Sequence, residues 1–99
     1  MADGDVVLDR NFEFDAEAGT RVELFAVESS SYPGGFYYRF QYYNPEETEQ
    51  LLRYDTAHDS AVGHHHRHKD GTIEGIAFEG LQAHVARFRQ EVLTIHDHR

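Results

Sequence analysis

Alternation of apolar and polar residues with a period of two runs along the chain from Val6 to Phe78 and predicts β-strands. It is clearest from Phe36 to Tyr43, where an aromatic residue fills every second position. Polar segments with Gly, Pro or Asn separate such runs and indicate turns. We predict strands at Val6–Phe14, Thr20–Val27, Phe36–Tyr43, Gln50–Asp55, His64–Lys69 and Thr72–Phe78.

Helical spacing replaces this alternation near the C-terminus. Leu81, Val85, Phe88, Val92 and Ile95 recur at intervals of three and four and would form one apolar stripe. We therefore predict one helix that begins at Leu81 and ends at Ile95. The fold class is α+β: a small antiparallel β-sheet of five to six strands with one C-terminal α-helix packed on it, in a single domain over all 99 residues.

Composition limits the chemistry. Cysteine is absent, which excludes disulfides, a thiol nucleophile and a thiolate metal site. The net charge is −9 and Lys69 is the single lysine, a composition that favours solubility in concentrated salt. We interpret it as that of a halophilic archaeon, with an ordinary acidic protein as the alternative. No segment has the character of a membrane span or a signal peptide, so we expect a cytoplasmic protein.

Histidines are concentrated in one segment, which holds five of the eight between His58 and Lys69. Imidazole exchanges protons near neutral pH and is also the commonest metal ligand. In a strand, alternate residues point to opposite faces. His64, His66 and His68 would therefore share one face, while His65, Arg67 and Lys69 share the other.

Three interpretations of the histidines follow. In the first, a His-x-His motif binds a divalent metal at His64 and His66, with a third ligand from His58, Asp55 or His84. In the second, they catalyse RNA cleavage without a metal or other cofactor. In the third, they form only a solvated edge of the sheet.

Cleavage of RNA through its own 2′-hydroxyl needs a base, an acid and cations near the phosphorus. Imidazoles beside basic side chains supply all three, while a neighbouring tyrosine and acid could orient them. The aromatic side chains of Tyr37 and Tyr43, opposite the predicted core face, are candidates for base stacking. The candidate catalytic residues are His64, His66, His68, Tyr54 and Asp55, and the candidate substrate contacts are Arg67, Lys69 and His65.

The order of these motifs resembles that of the TumE family of toxin–antitoxin proteins. The resemblance rests on Tyr37–Tyr43, then Leu52–Asp55, then Gly63–His68, followed by an aromatic residue, Phe78, and an amphipathic helix. It covers the chain from about Leu8 to Ile95. Thr56 follows the Tyr-Asp pair where the family pattern has asparagine, which weakens any role tied to that position.

This resemblance implies a toxin-like protein encoded beside an antitoxin with a helix-turn-helix or winged-helix DNA-binding domain. Together with the histidines, it leads us to expect a toxin that acts on RNA, as a metal-independent ribonuclease. The alternatives are a non-enzymatic protein-binding module of a DNA-binding regulator, or a His-x-His metal-binding protein. A homodimer is a further assembly to consider.

Overall fold

The computed structural model describes residues 3–57 and 63–98 of the chain. It confirms the α+β class, because a six-stranded antiparallel sheet is followed by one helix. The elements are β1 (Val6–Asp15), β2 (Thr20–Glu28), β3 (Phe36–Asn44), β4 (Glu49–Thr56), β5 (His65–Lys69), β6 (Thr72–Gly75) and α1 (Leu81–Asp97).

The sheet is a meander in which every strand pairs with its neighbours in sequence, in the order β1-β2-β3-β4-β5-β6. Asp70 and Gly71 close the β5–β6 hairpin with φ of 53° and 76°. Positive φ at both central residues is what a two-residue hairpin turn needs, and glycine adopts it without strain. The predicted break between a strand that ends at Lys69 and one that begins at Thr72 is therefore confirmed.

The core lies between one face of the sheet and α1. Tyr38, Phe40 and Tyr42 of β3 are fully buried there, as the alternation predicts. Phe88 of α1 packs edge-on against two of the sheet aromatics, with ring centroids 5.7 Å from Phe40 and 5.0 Å from Tyr54. Large rings thus supply most of the packing, which suits a chain with few aliphatic residues.

All seven elements begin or end one to three residues away from the predicted bounds, and the last three show it as follows. β5 begins at His65 rather than His64, and β6 ends at Gly75 rather than Phe78. Phe78 lies beyond β6, where its ring stacks on His65 with centroids 4.7 Å apart and packs against the core. The helix continues to Asp97. Within the described residues, no helix combines the length and apolarity needed to cross a membrane.

Candidate functional site

The two faces of the sheet have different surroundings. Alternate residues of β4 point to opposite faces. Tyr54 enters the core beneath α1, and Asp55 points to the other side of the sheet. We call the side away from α1 the open face. The antiparallel register pairs Asp55 with His66, so His66 and His68 of β5 lie on the open face as well.

Asp55, His66 and His68 form one group, the Asp–His cluster. A carboxylate oxygen of Asp55 lies 3.0 Å from Nε2 of His68, and the His66 and His68 rings are 6.0 Å apart. Asp55 and His66 are buried, while the His68 side chain keeps 26% of its surface exposed. His68 is therefore the member of the cluster that solvent or substrate reaches first.

Hydrogen bonds fix the orientation of both imidazoles. Nε2 of His66 lies 2.7 Å from the Gly63 carbonyl oxygen, which only accepts, so this nitrogen carries the hydrogen. Nε2 of His68 likewise donates to the Asp55 carboxylate. In the neutral tautomers the Nδ1 atom of each ring then holds a lone pair. A proton transferred to Nδ1 of His68 would give an imidazolium that Asp55 stabilises.

Two arginines that sequence reasoning missed flank this cluster. Nε of Arg53 lies 2.7 Å from the second carboxylate oxygen of Asp55. Arg39 of β3 lies opposite Asp55 of β4 in the strand register. Nε of Arg39 contacts Glu23 at 3.0 Å. Each guanidinium also carries terminal N–H groups that suit a phosphate. The alternation signal could have found them, because neighbouring strands must share their non-core face.

Aromatic side chains continue the open face beyond the arginines. Tyr37 and Tyr43 of β3 are partly exposed there, and Phe25 of β2 lies opposite Arg39. The Arg39 guanidinium lies 6.0 Å from the centroid of the Phe25 ring. Rings and guanidinium groups on one sheet surface are suited to stack nucleic-acid bases.

Tyr54 and Arg67 lie on the helix side of the sheet, apart from the Asp–His cluster. The Tyr54 hydroxyl donates to the Glu91 carboxylate of α1, and Nη2 of Arg67 donates to it at 2.5 Å. Burial alone would raise the pKa of Glu91, but the bonds from Arg67 and Tyr54 outweigh it and lower that pKa. Arg67 also contacts Glu74 at 2.8 Å. These residues join β4, β5 and β6 to the helix.

The remaining candidates occupy three different places. The His65 ring stacks between Phe78 and the core on the helix side, and burial lowers its pKa. Burial raises the pKa of Tyr38, so its hydroxyl stays protonated and donates to Nδ1 of His65 over 2.9 Å. His64 precedes β5, with Nδ1 3.2 Å from the Ala57 carbonyl oxygen. Lys69 pairs with Asp70 at the hairpin tip.

His84 lies in the centre of the core rather than at its rim. It is 2% exposed and surrounded by aromatic rings, including Tyr38 at 4.8 Å and Tyr54 at 5.0 Å. Burial in this apolar environment lowers the pKa of His84 to about 4. The ring is therefore neutral at pH 7 and packs as an aromatic residue.

A metal ion would find its ligands in the Asp–His cluster. Among the described residues, Asp55, His66 and His68 offer ligand atoms within 4.8 Å of one another. Of the third ligands considered from the sequence, Asp55 joins this group, His84 lies in the core, and His58 is outside the described residues. The Arg53 guanidinium, 2.7 Å from the Asp55 carboxylate, would compete with a metal ion for that carboxylate.

Comparison with known proteins identifies the family. No curated protein and no solved structure matches the chain. The family described as Toxin TumE matches residues 3–96, which include the whole sheet, the Asp–His cluster and almost all of α1. The chain therefore belongs to the TumE family of toxins.

Proposed function

We propose that this toxin acts on RNA, at the Asp–His cluster of its open face. The observation that carries the proposal is the convergence of Asp55, His66 and His68 beside Arg53, with His68 partly exposed, on the side of the sheet away from α1. Family membership supports the coarser function, the toxin component of a toxin–antitoxin system. The RNA substrate rests on the chemistry of the cluster.

The chemistry is intramolecular transesterification. His68, oriented by Asp55, removes the proton from a ribose 2′-hydroxyl, and the 2′-oxygen attacks the adjacent phosphorus. His66, which must enter the reaction as the imidazolium, donates its Nδ1 proton to the departing 5′-oxygen, so that a 2′,3′-cyclic phosphate and a free 5′-hydroxyl result. We assign the base to His68 because it is the more exposed imidazole and the one held by a carboxylate.

Arg53 and Arg39 would stabilise the negative charge that grows on the phosphate oxygens. Tyr37 and Tyr43 would stack bases of a single strand that runs across β3. Tyr54 and Arg67 would support the site from the helix side of the sheet through their bonds to Glu91. His65 would support it from the same side through its stack on Phe78. Lys69 at the hairpin tip is a peripheral phosphate contact.

The experiment compares RNA cleavage by the parent chain and by single variants. We expect His68→Ala and His66→Ala to lower the rate by about 100-fold or more, since that is the usual contribution of an acid or base. His98→Ala, at the exposed end of α1, should leave the rate unchanged. An RNA with a deoxyribose at the cleavage position should resist cleavage.

Growth of cells provides a second readout. Induction of the toxin without its antitoxin should slow growth, and the double variant His66→Ala with His68→Ala should restore growth while remaining folded. Equal growth of induced and uninduced cells, with abundant protein, would favour the non-enzymatic binding module. Undiminished RNA cleavage by the double variant would refute the proposed site.

A metal-binding role is the second candidate, and the closeness of the three ligand atoms in the Asp–His cluster favours it. Two imidazoles and a carboxylate are a common ligand set for divalent zinc. In that case Asp55→Asn would abolish metal binding, since it removes the charged ligand.

A further inference from the structure

An apolar groove runs between β1 and α1 on the helix side of the sheet. Its volume is about 480 Å³. Phe12 of β1 and Leu93 of α1 line it, and each exposes 38% of its surface. They are two of the few large apolar residues of the described chain that are so exposed. The other lining residues are Leu8, Arg10, Phe14, Val22, Leu24, Val85, Phe88, Arg89 and Val92.

The groove exists because one helix is too narrow to cover six strands. The buried residues of α1 are His84, Phe88 and Val92, and the rings of His84 and Phe88 pack against β3 and β4. Strands lie about 4.8 Å apart and a helix is about 10 Å wide, so β1 and β2 together leave room for one more helix. Leu8 and Leu24 are only partly buried there.

The charges at the groove are opposite to those of the whole protein. The chain carries a net charge of −9, yet the two charged residues that line the groove are Arg10 and Arg89. The Arg10 guanidinium lies 5.9 Å from the centroid of the Phe12 ring, which directs its charge over the apolar surface. This pattern suits a partner whose apolar stripe is flanked by carboxylates.

We propose that the groove receives an amphipathic, acid-flanked helix of the cognate antitoxin. The proposal rests on the membership of the chain in a toxin family, since such a toxin has an antitoxin partner. It does not depend on action on RNA. The helix would lie beside α1 on β1 and β2, with its apolar residues between Phe12 and Leu93 and its carboxylates facing Arg10 and Arg89.

The experiment measures the affinity of the full-length toxin for the antitoxin encoded beside its gene. Leu93→Glu and Phe12→Glu each place a charge in the centre of the groove and should raise Kd by about 30-fold or more. Ile73→Glu is the matched control, because Ile73 is 51% exposed on β6 at the opposite edge of the sheet. We expect its Kd to stay within about threefold of the parent value.

A second pair of variants tests the charge of the partner. Arg10→Glu and Arg89→Glu should weaken binding at low salt, and the effect should shrink as the salt concentration rises. If instead these variants bind the antitoxin as the parent does, the partner is not acid-flanked and this part of the proposal is wrong.

Two results would overturn the docking site. One is an unchanged Kd for Leu93→Glu whose circular dichroism matches that of the parent. The other is a toxin homodimer that Leu93→Glu dissociates without changing the affinity for antitoxin, which would assign the groove to a second copy. RNA cleavage by the isolated variants is measured in parallel. If the parent toxin does not cleave RNA either, the proposed function is refuted, while the comparison of antitoxin affinities still stands.

Discussion

His84 makes the stability of the toxin depend on pH in a way that one substitution should remove. The folded protein holds the pKa of His84 at about 4, against 6.5 for the exposed side chain. Below pH 6.5 the unfolded chain therefore binds a proton that the folded chain does not bind. The contribution of His84 is fully present above pH 6.5 and is lost as the pH falls through about 4.

The magnitude follows from the distance between the two pKa values. Each pH unit corresponds to about 1.4 kcal/mol, so we expect His84 to account for about 3 kcal/mol of lost stability on acidification from pH 7 to below pH 4. Such a loss is a large part of the total stability of a small domain. His84→Phe keeps an aromatic ring in the core and cannot be protonated.

Urea unfolding of both proteins at pH 7, 5 and 4 measures the difference. We expect His84→Phe to match or exceed the parent at pH 7, because Nε2 of His84 is buried without a hydrogen-bond partner. The free energy of unfolding of His84→Phe should exceed that of the parent by a growing amount as the pH falls toward 4. His98→Phe, at the exposed helix end, should follow the parent. Parallel loss of stability in parent and His84→Phe would refute the reasoning.

Three further predictions concern other parts of the molecule. Glu91→Gln should lower the free energy of unfolding by about 2 kcal/mol in thermal or urea denaturation, because Arg67 loses its partly buried partner. Glu74→Gln, on an exposed pair, should cost below about 0.5 kcal/mol, and equal losses would contradict this assignment. Toxin purified without a tag should contain no stoichiometric metal by elemental analysis; one ion per chain, lost in His66→Ala, would establish the metal site instead. The complex with the cognate antitoxin should survive molar potassium chloride in size-exclusion chromatography, since apolar contacts are not screened; separate elution at every salt concentration would disprove stable pairing.

The strands and the helix could be predicted from the sequence because their buried residues recur with a regular period. Phe36 to Tyr43 alternates between core and open face as predicted. The β5–β6 hairpin was predictable because its turn depends only on local residues, Asp70 and Gly71, which adopt positive φ. Phe78 could not be placed correctly from sequence, because its position outside β6 is stabilised by contacts with rings distant in sequence, Tyr38 and His65 among them.

The site was only partly accessible from sequence, because it depends on which residues face each other across strands. Alternation grouped His66 with His68, and the structure places them on one face. The register that brings Asp55 opposite His66 depends on how β4 and β5 pair after an intervening loop. His84 could not be assigned to the rim or to the centre of the core from sequence, since its helical position allows both. Only the contacts of the His84 ring with the aromatic side chains around it distinguish the two locations.

The order of the strands has a consequence for how the toxin forms. Each strand pairs only with strands adjacent in sequence, so each pairing closes a short loop at small entropic cost. During synthesis, β1, β2 and β3 can pair before the ribosome has made β5. The Asp–His cluster spans β4 and β5, so a chain that terminates before β5 lacks His66 and His68. The proposed site is therefore complete only after β5 has been synthesised.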